Sequence, residues 1–333
     1  MNGSWRGRRV LITGAGGFIG SHLTQALAAQ GARVRAFVRY NSRGDPGLLR
    51  LLPGELASTL ELVPGDLRDG EAVREAVKDC EVVFHLGAMI SIPYSYRHPA
   101  EVAETNFLGT LNVLMACRDL RTPRLIHVSS SEVYGTARQV PMDETHPLQG
   151  QSPYSASKIG ADKLAESFFC SYDLPVVTVR PFNTFGPRQS ARAVIPAIIT
   201  QALVNSTIHV GDLSTRRDFT YVDDTVVGFL CAAEASGDGI LGGTFNLGTG
   251  REMRISDVTR LVMQTVGHPV KIEVDPDRLR PGNSEVKRLL SDNREAKRAL
   301  GWEPRVTFED GLDRTIAWVK DHLELYRPGR YEF

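Results

Sequence analysis

Tyr154 and Lys158 are the two side chains whose types and spacing first indicate chemistry. They are four positions apart in a stretch with helical periodicity, so both lie on one face of a helix. The ordinary pKa of a phenol is about 10, and a neighbouring ammonium group favours the phenolate. Ser130, just past a predicted strand, can hydrogen-bond the same substrate hydroxyl. The three residues predict a site that takes a proton from a hydroxyl group.

A carboxylate precedes this pair in the segment Ser129-Ser-Ser-Glu-Val-Tyr-Gly135. Oxidation of a carbon to a ketone acidifies the hydrogen on the adjacent carbon, and Glu132 is a candidate base for that proton. The alternative for Glu132 is a salt-bridged loop carboxylate. Its neighbour Ser131 has a hydroxyl group that does not readily ionise. The segment therefore supplies a base and no evident acid.

A glycine-rich segment near the N-terminus predicts a dinucleotide site. Gly14, Gly17 and Gly20 follow a predicted strand and open a predicted helix. Glycines permit a tight turn and a close approach of the backbone to a pyrophosphate, which lies at the helix N-terminus. The oxidised nicotinamide ring of such a cofactor is positive and further favours the phenolate of Tyr154. Together these features indicate hydride transfer at a hydroxyl-bearing carbon.

The end of the second predicted strand indicates which dinucleotide is used. Enzymes that use NAD usually carry an acid there to bind the ribose. Here Val38 is apolar and Arg39 follows, with Ser42 and Arg43 nearby. Arginine pairs with a 2′-phosphate that a carboxylate would repel, so the sequence favours NADP over NAD, unless the arginines merely face solvent. Asp66, at the end of the next strand, is expected near the adenine amine.

The composition excludes several functional classes. The chain of 333 residues contains 39 Lys plus Arg and 39 Asp plus Glu, so no net charge favours nucleic acid or an anionic membrane. The four cysteines are far apart and lack metal-binding spacing, which is typical of reduced thiols. No apolar run reaches the ~18 residues that span a bilayer, and no secretion signal is evident. We expect a cytoplasmic protein without a metal.

Short β-branched segments alternate with longer helical patterns before Arg180. This alternation predicts an α/β fold of the Rossmann type, with a doubly wound parallel sheet and helices on both faces. The predicted strands are Arg9–Thr13, Arg33–Phe37, Leu60–Val63, Val82–Leu86, Leu125–Ser129, Val176–Arg180 and Gly243–Leu247. The predicted helices are Ser21–Gln30, Glu71–Lys78, Ala100–Leu120, Ser155–Tyr172, Ser256–Val266 and Phe308–Tyr326.

Proline and glycine become frequent after Arg180 and interrupt this alternation. We predict a cofactor domain over residues 1–180, joined by residues from about 223 to 249. A smaller C-terminal α/β part over 181–222 and 250–333 is expected to bind the substrate. It would lie over the carboxyl ends of the strands, where ligands bind in open α/β sheets.

The motifs together resemble the extended short-chain dehydrogenase/reductase family, and within it the nucleotide-sugar epimerases and dehydratases. The resemblance covers nearly the whole chain and rests on Gly14–Gly20, His85–Ala88, Asn106–Thr110, Ser129–Gly135, Tyr154–Lys158, Arg180–Pro187, Arg217–Asp224 and Arg280–Gly282. It implies further cofactor contacts at Phe18, Ile19, Leu67, Leu86 and Ala88. It also implies that a nucleotide-diphosphate sugar contacts Asn183, Arg192, Arg217 and Arg280, whose donors suit phosphate oxygens.

The resemblance implies a reaction that begins with oxidation of a hexose at carbon 4. In a 4,6-dehydratase, Glu132 would then remove the carbon 5 proton, water would leave carbon 6, and the hydride would return to carbon 6. Typical 4,6-dehydratases read Thr-Asp-Glu where this chain reads Ser130-Ser131-Glu132, and their aspartate protonates the departing hydroxyl. UDP-glucuronate decarboxylases and some amino-sugar dehydratases also combine serine with glutamate. Decarboxylation, 4-epimerisation and 5,6-dehydration remain alternatives, and so does a non-catalytic sensor of the NADP redox state.

Four segments narrow the resemblance to the sugar 4,6-dehydratases of the legionaminic acid pathway, which act on a nucleotide-linked N-acetylglucosamine. They are Ala36–Ser42, Ile90–Tyr96, Pro147–Asp162 and Gly186–Pro196. We therefore predict a nucleotide-sugar 4,6-dehydratase with a tightly bound and recycled NADP or NAD. In relatives the helices matching Ala100–Leu120 and Ser155–Tyr172 pair across a dimer, and both carry surplus apolar residues here. A homodimer is expected, with burial under the substrate part as the alternative.

Overall fold

The computed structural model describes residues 5–267 and 270–328. The strands are β1 (Arg9–Thr13), β2 (Arg33–Arg39), β3 (Glu61–Gly65), β4 (Val82–His85), β5 (Arg124–Val128), β6 (Val176–Pro181), β7 (Asn183–Phe185), β8 (Thr207–Val210), β9 (Arg216–Tyr221), β10 (Thr244–Leu247), β11 (Glu252–Arg254) and β12 (Lys271–Val274). The α-helices are α1 (Phe18–Ala29), α2 (Gly54–Ala57), α3 (Gly70–Val77), α4 (Ile92–Arg97), α5 (Pro99–Ala103), α6 (Gly109–Asp119), α7 (Pro153–Tyr172), α8 (Val194–Val204), α9 (Val222–Glu234), α10 (Ile255–Val266), α11 (Arg294–Leu300) and α12 (Phe308–Asp321).

Seven strands form one sheet in the order β10-β6-β5-β4-β1-β2-β3. Every neighbouring pair is parallel. Thr13 of β1 is in register with Phe37 of β2 and His85 of β4, so the carboxyl ends of these strands meet at one edge. The predicted Rossmann-type sheet is confirmed, and each of the predicted strands is present to within two residues at either end.

The sheet is covered on both faces because its central strands are almost entirely apolar. Val10 and Ile12 of β1 enter the core that contains Leu23 of α1. Leu11, which points the opposite way, enters the core that contains Val73 of α3. A continuous apolar run of this kind is typical of parallel strands with helices on each side.

Three helices differ from the sequence prediction. The segment predicted as one helix over Ala100–Leu120 is α5 and α6, joined by a π-helical turn at Glu104–Leu108. The last predicted helix was too long, because α12 ends at Asp321 and a separate 3₁₀ turn follows. Helix α1 begins at Phe18, directly after Gly17, and contains Gly20 in its first turn, which places that turn beside the predicted pyrophosphate site.

The chain after Arg180 builds two smaller sheets, β11-β9-β7 and β12-β8. Helices α8, α10 and α12 bury their apolar faces in a second core that includes Ile198, Val258 and Ile316. Between these pieces, α9 and β10 return to the large sheet, where β10 pairs with β6. No helix within residues 5–267 and 270–328 is long and apolar enough to cross a bilayer.

Candidate active site

Tyr154 and Lys158 lie one turn apart near the start of α7. The helix opens with a capping box between Ser152 and Ser155, which fixes the direction of its first turn. Both side chains are buried, with Tyr154 at 6% and Lys158 at 3% exposure. Lys158 Nζ donates to the carbonyl oxygen of Val128, the last residue of β5, at 2.8 Å. This bond holds the lysine against the end of the sheet.

Burial dominates the protonation of this pair. Burial lowers the pKa of the Lys158 ammonium group to about 8, and the Asp162 carboxylate opposes that shift. Burial raises the pKa of the Tyr154 phenol to about 12, although a hydrogen bond with Ser130 opposes it. The prediction that Lys158 and the nicotinamide ring favour the phenolate concerns the cofactor-bound protein and stays a prediction.

Ser130, Ser131 and Glu132 lie on a short turn that follows β5. Ser130 Oγ accepts a hydrogen bond from Glu132 N at 3.2 Å. The turn ends at Gly135, where φ is 64° and a Cβ would lie 2.5 Å from Gln151 Oε1. Only glycine fits that position without displacing its neighbour. The turn thereby holds Glu132 at 9% and Ser131 at 3% exposure.

The buried Glu132 carboxylate interacts electrostatically with one member of the redox pair. It lies within electrostatic range of Tyr154 and of Arg217, and also of Tyr96 on α4. The structure thus brings together the predicted base, the predicted redox tyrosine and one predicted substrate arginine. Tyr96 was not assigned to the site from the sequence.

The glycine segment has the geometry of a pyrophosphate cradle. Gly14 has a φ of 71°, and a Cβ there would lie 2.9 Å from the backbone of Gly87. A Cβ at Gly20 would lie only 2.1 Å from the Gly14 carbonyl oxygen. Gly17 precedes α1, and no side chain caps the first turn, so its N–H groups are available to an anion. The other predicted cofactor residues follow strand ends or begin α1: Phe18, Ile19, Leu67, Leu86 and Ala88.

Arg39 is the last residue of β2 and lies at the predicted ribose position. Its side chain is 68% exposed, and Nη2 lies 3.5 Å from Glu101 Oε1. Asp66 accepts from Arg68 Nη2 at 2.7 Å, and this hydrogen bond is the main reason that the pKa of Asp66 is lowered. The ionised carboxylate of Asp66 has further acceptor sites for an adenine amine. Ser42 is exposed in the loop after β2.

Arg217 and Arg280 meet at a carboxylate that sequence reasoning missed. Arg217 Nη2 lies 3.2 Å from Glu285 Oε1, and Arg280 Nη1 lies 3.7 Å from the same atom. Arg217 lies on β9 at 6% exposure, and burial lowers its pKa. Two of the four predicted substrate residues therefore form one cationic cluster. Nothing in the sequence linked Glu285 to Arg217, although Glu285 follows Arg280 closely along the chain.

Asn183 and Arg192, the other two predicted substrate residues, have different surroundings. Asn183 lies on β7, paired with Phe219 of β9. Its Oδ1 is buried without a hydrogen-bond partner among the described residues, so a ligand donor can satisfy it. Arg192 is exposed, and its Nε donates to Ser190 Oγ at 3.3 Å. The contacts of Arg192 are therefore local.

A buried polar network lies beneath Lys158 and was not predicted as a unit. Asp162, one turn after Lys158, lies 3.0 Å from Arg180 Nη2 and 3.1 Å from His127 Nε2. Arg180 Nη1 in turn donates to the Tyr134 hydroxyl at 2.9 Å. Burial by itself raises the pKa of Asp162, but the hydrogen bond from His127 and the charge of Arg180 lower it to about 2. The network fixes the helix face that carries Lys158.

Replacing Asp162 by Asn is expected to reduce the free energy of unfolding by about 3 kcal/mol, because it leaves the Arg180 cation buried without its counter-charge. The wild-type carboxylate has a lower pKa folded than unfolded. Its contribution is complete above pH 3.8 and is lost as the pH falls towards about 2. Urea denaturation measures both effects. Asp119→Asn is the control, since Asp119 forms an exposed pair with Arg74 and should cost less than about 1 kcal/mol. Equal losses in the two variants would contradict the prediction.

The sheet, the glycine cradle and the buried tyrosine–lysine pair are those of the extended short-chain dehydrogenase/reductases that act on nucleotide sugars. The chain belongs to the GDP-mannose 4,6-dehydratase family, whose model matches residues 11–315. It is 33% identical over 319 residues to a UDP-glucose 4-epimerase of Mycolicibacterium smegmatis, covering 94% of this chain and 99% of the relative. It is 31% identical over 324 residues to a dTDP-glucose 4,6-dehydratase of Streptomyces antibioticus, covering 96% and 94%.

A solved structure shows the same fold over almost the whole chain. DesIV, a dTDP-glucose 4,6-dehydratase from Streptomyces venezuelae with NAD bound, has a TM-score of 0.85 and 29% identity, covering 96% of this chain and 99% of DesIV. The predicted resemblance to nucleotide-sugar epimerases and dehydratases is confirmed. The relatives include both kinds of enzyme, and the closer likeness to legionaminic acid enzymes stays a prediction.

Proposed function

We propose that this protein is a nucleotide-sugar 4,6-dehydratase, a lyase that forms a 4-keto-6-deoxy sugar. The observation that carries the proposal is the buried Glu132 carboxylate, 9% exposed, within electrostatic range of both Tyr154 and Arg217. Burying a carboxylate costs free energy. Inversion at carbon 4 needs only the redox pair, whereas elimination also needs a base at carbon 5. A buried carboxylate beside that pair supports elimination.

Each site residue has a defined role in this proposal. Tyr154 takes the proton of the carbon 4 hydroxyl, and Ser130 hydrogen-bonds that hydroxyl. A dinucleotide held by the glycines from Gly14 to Gly20 would supply the hydride acceptor for carbon 4 and the hydride donor for carbon 6. Glu132 takes the carbon 5 proton, exchanges it with solvent, and returns a proton to the same carbon. Arg217 and Arg280 bind the diphosphate and keep their ion pairs with Glu285.

Mass spectrometry after incubation with GDP-mannose, dTDP-glucose, UDP-glucose, UDP-N-acetylglucosamine and UDP-glucuronate tests the proposal. Loss of one water from a nucleotide hexose supports it. Loss of carbon dioxide would indicate a decarboxylase, and a new isomer of unchanged mass a 4-epimerase. The likeness of Ile90–Tyr96 and Pro147–Asp162 to legionaminic acid enzymes supports UDP-N-acetylglucosamine or a related amino sugar as the substrate.

NADP is the cofactor we propose, although DesIV was solved with NAD. The support is the exposed Arg39 at the end of β2. The neighbouring position, where NAD enzymes usually carry an acid, is the apolar Val38. Arg39→Ala should weaken NADP binding about tenfold, or about 1.4 kcal/mol, with little change for NAD. Titration of both dinucleotides measures this. Arg33→Ala, at the opposite end of β2, is the control. Equal weakening of the two cofactors by Arg39→Ala would refute the assignment.

We also propose a homodimer that pairs the helices between Pro99 and Tyr172. Exposed apolar side chains on these helices support it, with Leu108 at 45%, Met115 at 40% and Tyr172 at 52% exposure. Such side chains are candidates for burial in an interface. Sedimentation measures the oligomeric state. The division into a cofactor domain and a substrate part, and the cytoplasmic location, stay predictions.

A further inference from the structure

The proposed dehydration needs a proton for the hydroxyl group that leaves carbon 6. Ser131, beside Glu132, is buried at 3% exposure, and an aliphatic hydroxyl group does not readily release its proton. The Glu285 carboxylate is occupied by ion pairs with the guanidinium groups of Arg217 and Arg280. The acid must therefore come from another wall of the site.

Tyr96 of α4 forms such a wall. Its ring packs against the apolar cluster that contains Tyr154. Glu132, Glu285 and Arg280 all lie within electrostatic range of its hydroxyl group. A hexose joined to a diphosphate at Arg280 and oxidised beside Tyr154 lies between these two residues. Tyr96 packs against the cluster of Tyr154 and lies within electrostatic range of Arg280.

We infer that Tyr96 is the acid that donates a proton to the hydroxyl group leaving carbon 6. The inference rests on the proposed function, since only an elimination needs this proton. It follows from position. Glu132 serves carbon 5, and carbon 6 is bonded to carbon 5. The ring of Tyr96 packs against the cluster of Tyr154, and its hydroxyl group lies within electrostatic range of the Glu132 carboxylate.

A hydrogen bond between Ser284 and the Tyr96 hydroxyl group supports this role. The Tyr96 hydroxyl lies 2.7 Å from Ser284 Oγ, and Ser284 Oγ donates its one hydrogen to the Gln151 carbonyl. Ser284 therefore accepts from Tyr96 in this state. Once Tyr96 has lost its proton, rotation of the serine hydroxyl turns it into a donor to the phenolate. Burial raises the pKa of Tyr96, against the effects of Ser284 and Arg280, so the proton is present at neutral pH.

The step balances without an added reactant. Glu132 takes the carbon 5 proton, and the electrons of that bond form the double bond between carbons 5 and 6. The bond from carbon 6 to oxygen breaks, and the departing oxygen takes the Tyr96 proton and leaves as water. Glu132 exchanges this proton with solvent and later returns a proton to carbon 5. Tyr96 regains a proton from solvent. This uptake balances the proton that the carbon 4 hydroxyl group releases on oxidation.

A change of leaving group tests the inference. Tyr96→Phe is assayed with dTDP-glucose and UDP-N-acetylglucosamine, and with their 6-deoxy-6-fluoro analogues, because fluoride leaves with little help from an acid. Loss of water should fall about 100-fold, whereas loss of fluoride should change by less than about threefold. Exchange of the carbon 5 hydrogen with solvent should persist. Undiminished fluoride loss also shows that the variant is folded.

Two results would overturn the assignment: unchanged water loss in Tyr96→Phe, or equal falls for both leaving groups. The second would mean that Tyr96 positions the sugar instead. Tyr326→Phe is the matched control, since it also removes one bonded hydroxyl, from the Gln189 carbonyl at 3.0 Å. If the wild-type protein releases neither water nor fluoride, the proposed function itself fails, which separates that outcome from failure of the Tyr96 assignment.

Discussion

Glu132→Gln is expected to lower formation of the 4-keto-6-deoxy sugar about 1,000-fold, within the range for loss of a general base. The amide keeps the shape and the buried position of the carboxylate but cannot take the carbon 5 proton. Oxidation at carbon 4 depends on Tyr154 and should continue. The variant is therefore expected to accumulate reduced dinucleotide together with the 4-keto sugar.

Deuterium incorporation distinguishes this prediction from a general loss of activity. In heavy water, the wild-type protein should place solvent deuterium at carbon 5, and Glu132→Gln should not. Glu166→Gln is the control, because Glu166 is an exposed carboxylate of α7 that pairs with Lys163. Undiminished deuterium incorporation in Glu132→Gln would remove Glu132 from the role of base.

Tyr154→Phe is expected to abolish the first step, with a loss of about 1,000-fold or more in oxidation at carbon 4. Phenylalanine fills the same buried volume but has no oxygen to accept the hydroxyl proton. Formation of reduced dinucleotide in a single turnover measures the effect. Dinucleotide binding should change little, since the glycine cradle around Gly14 is untouched.

The same variant separates an enzyme from a redox sensor. If the protein is a sensor, the wild type and Tyr154→Phe should bind NADP with equal affinity and NADPH with equal affinity. Neither protein should turn over a sugar nucleotide. Tyr326→Phe again serves as the control for loss of a single hydroxyl group. If turnover of every nucleotide sugar is equal in the wild type and in Tyr154→Phe, the proposed redox role of Tyr154 is refuted.

The sheet and the redox pair could be predicted because their signals are local. β1 and β4 are short apolar segments beside glycine, and a pair four positions apart on a helix shares one face whatever surrounds it. The smaller sheets could not be predicted in the same way. β9 begins with two arginines and an aspartate, and its place in a sheet depends on partners far along the chain.

The charges of the site were the least predictable part. Arg217 and Glu285 are 68 positions apart, and no periodic pattern connects them. Burial, a property of the folded chain, is the main reason that the pKa of Tyr154 is raised, and no local sequence pattern predicts it. Sequence reasoning could name the groups of the site but not how completely each one is removed from water.

The π-helical turn at Glu104–Leu108 determines how precisely the site is held. Asn106 within it bonds both the N–H and the carbonyl of Met89, at 2.7 and 3.0 Å, and also Ser157 Oγ at 3.0 Å. Ser157 precedes Lys158, so the loop after β4 and the start of α7 are tied at one amide. A shift of either wall relative to the other must therefore lengthen a hydrogen bond to Asn106. Placement of reacting groups to within about 0.5 Å is what hydride transfer requires, and this amide links the two walls that set it.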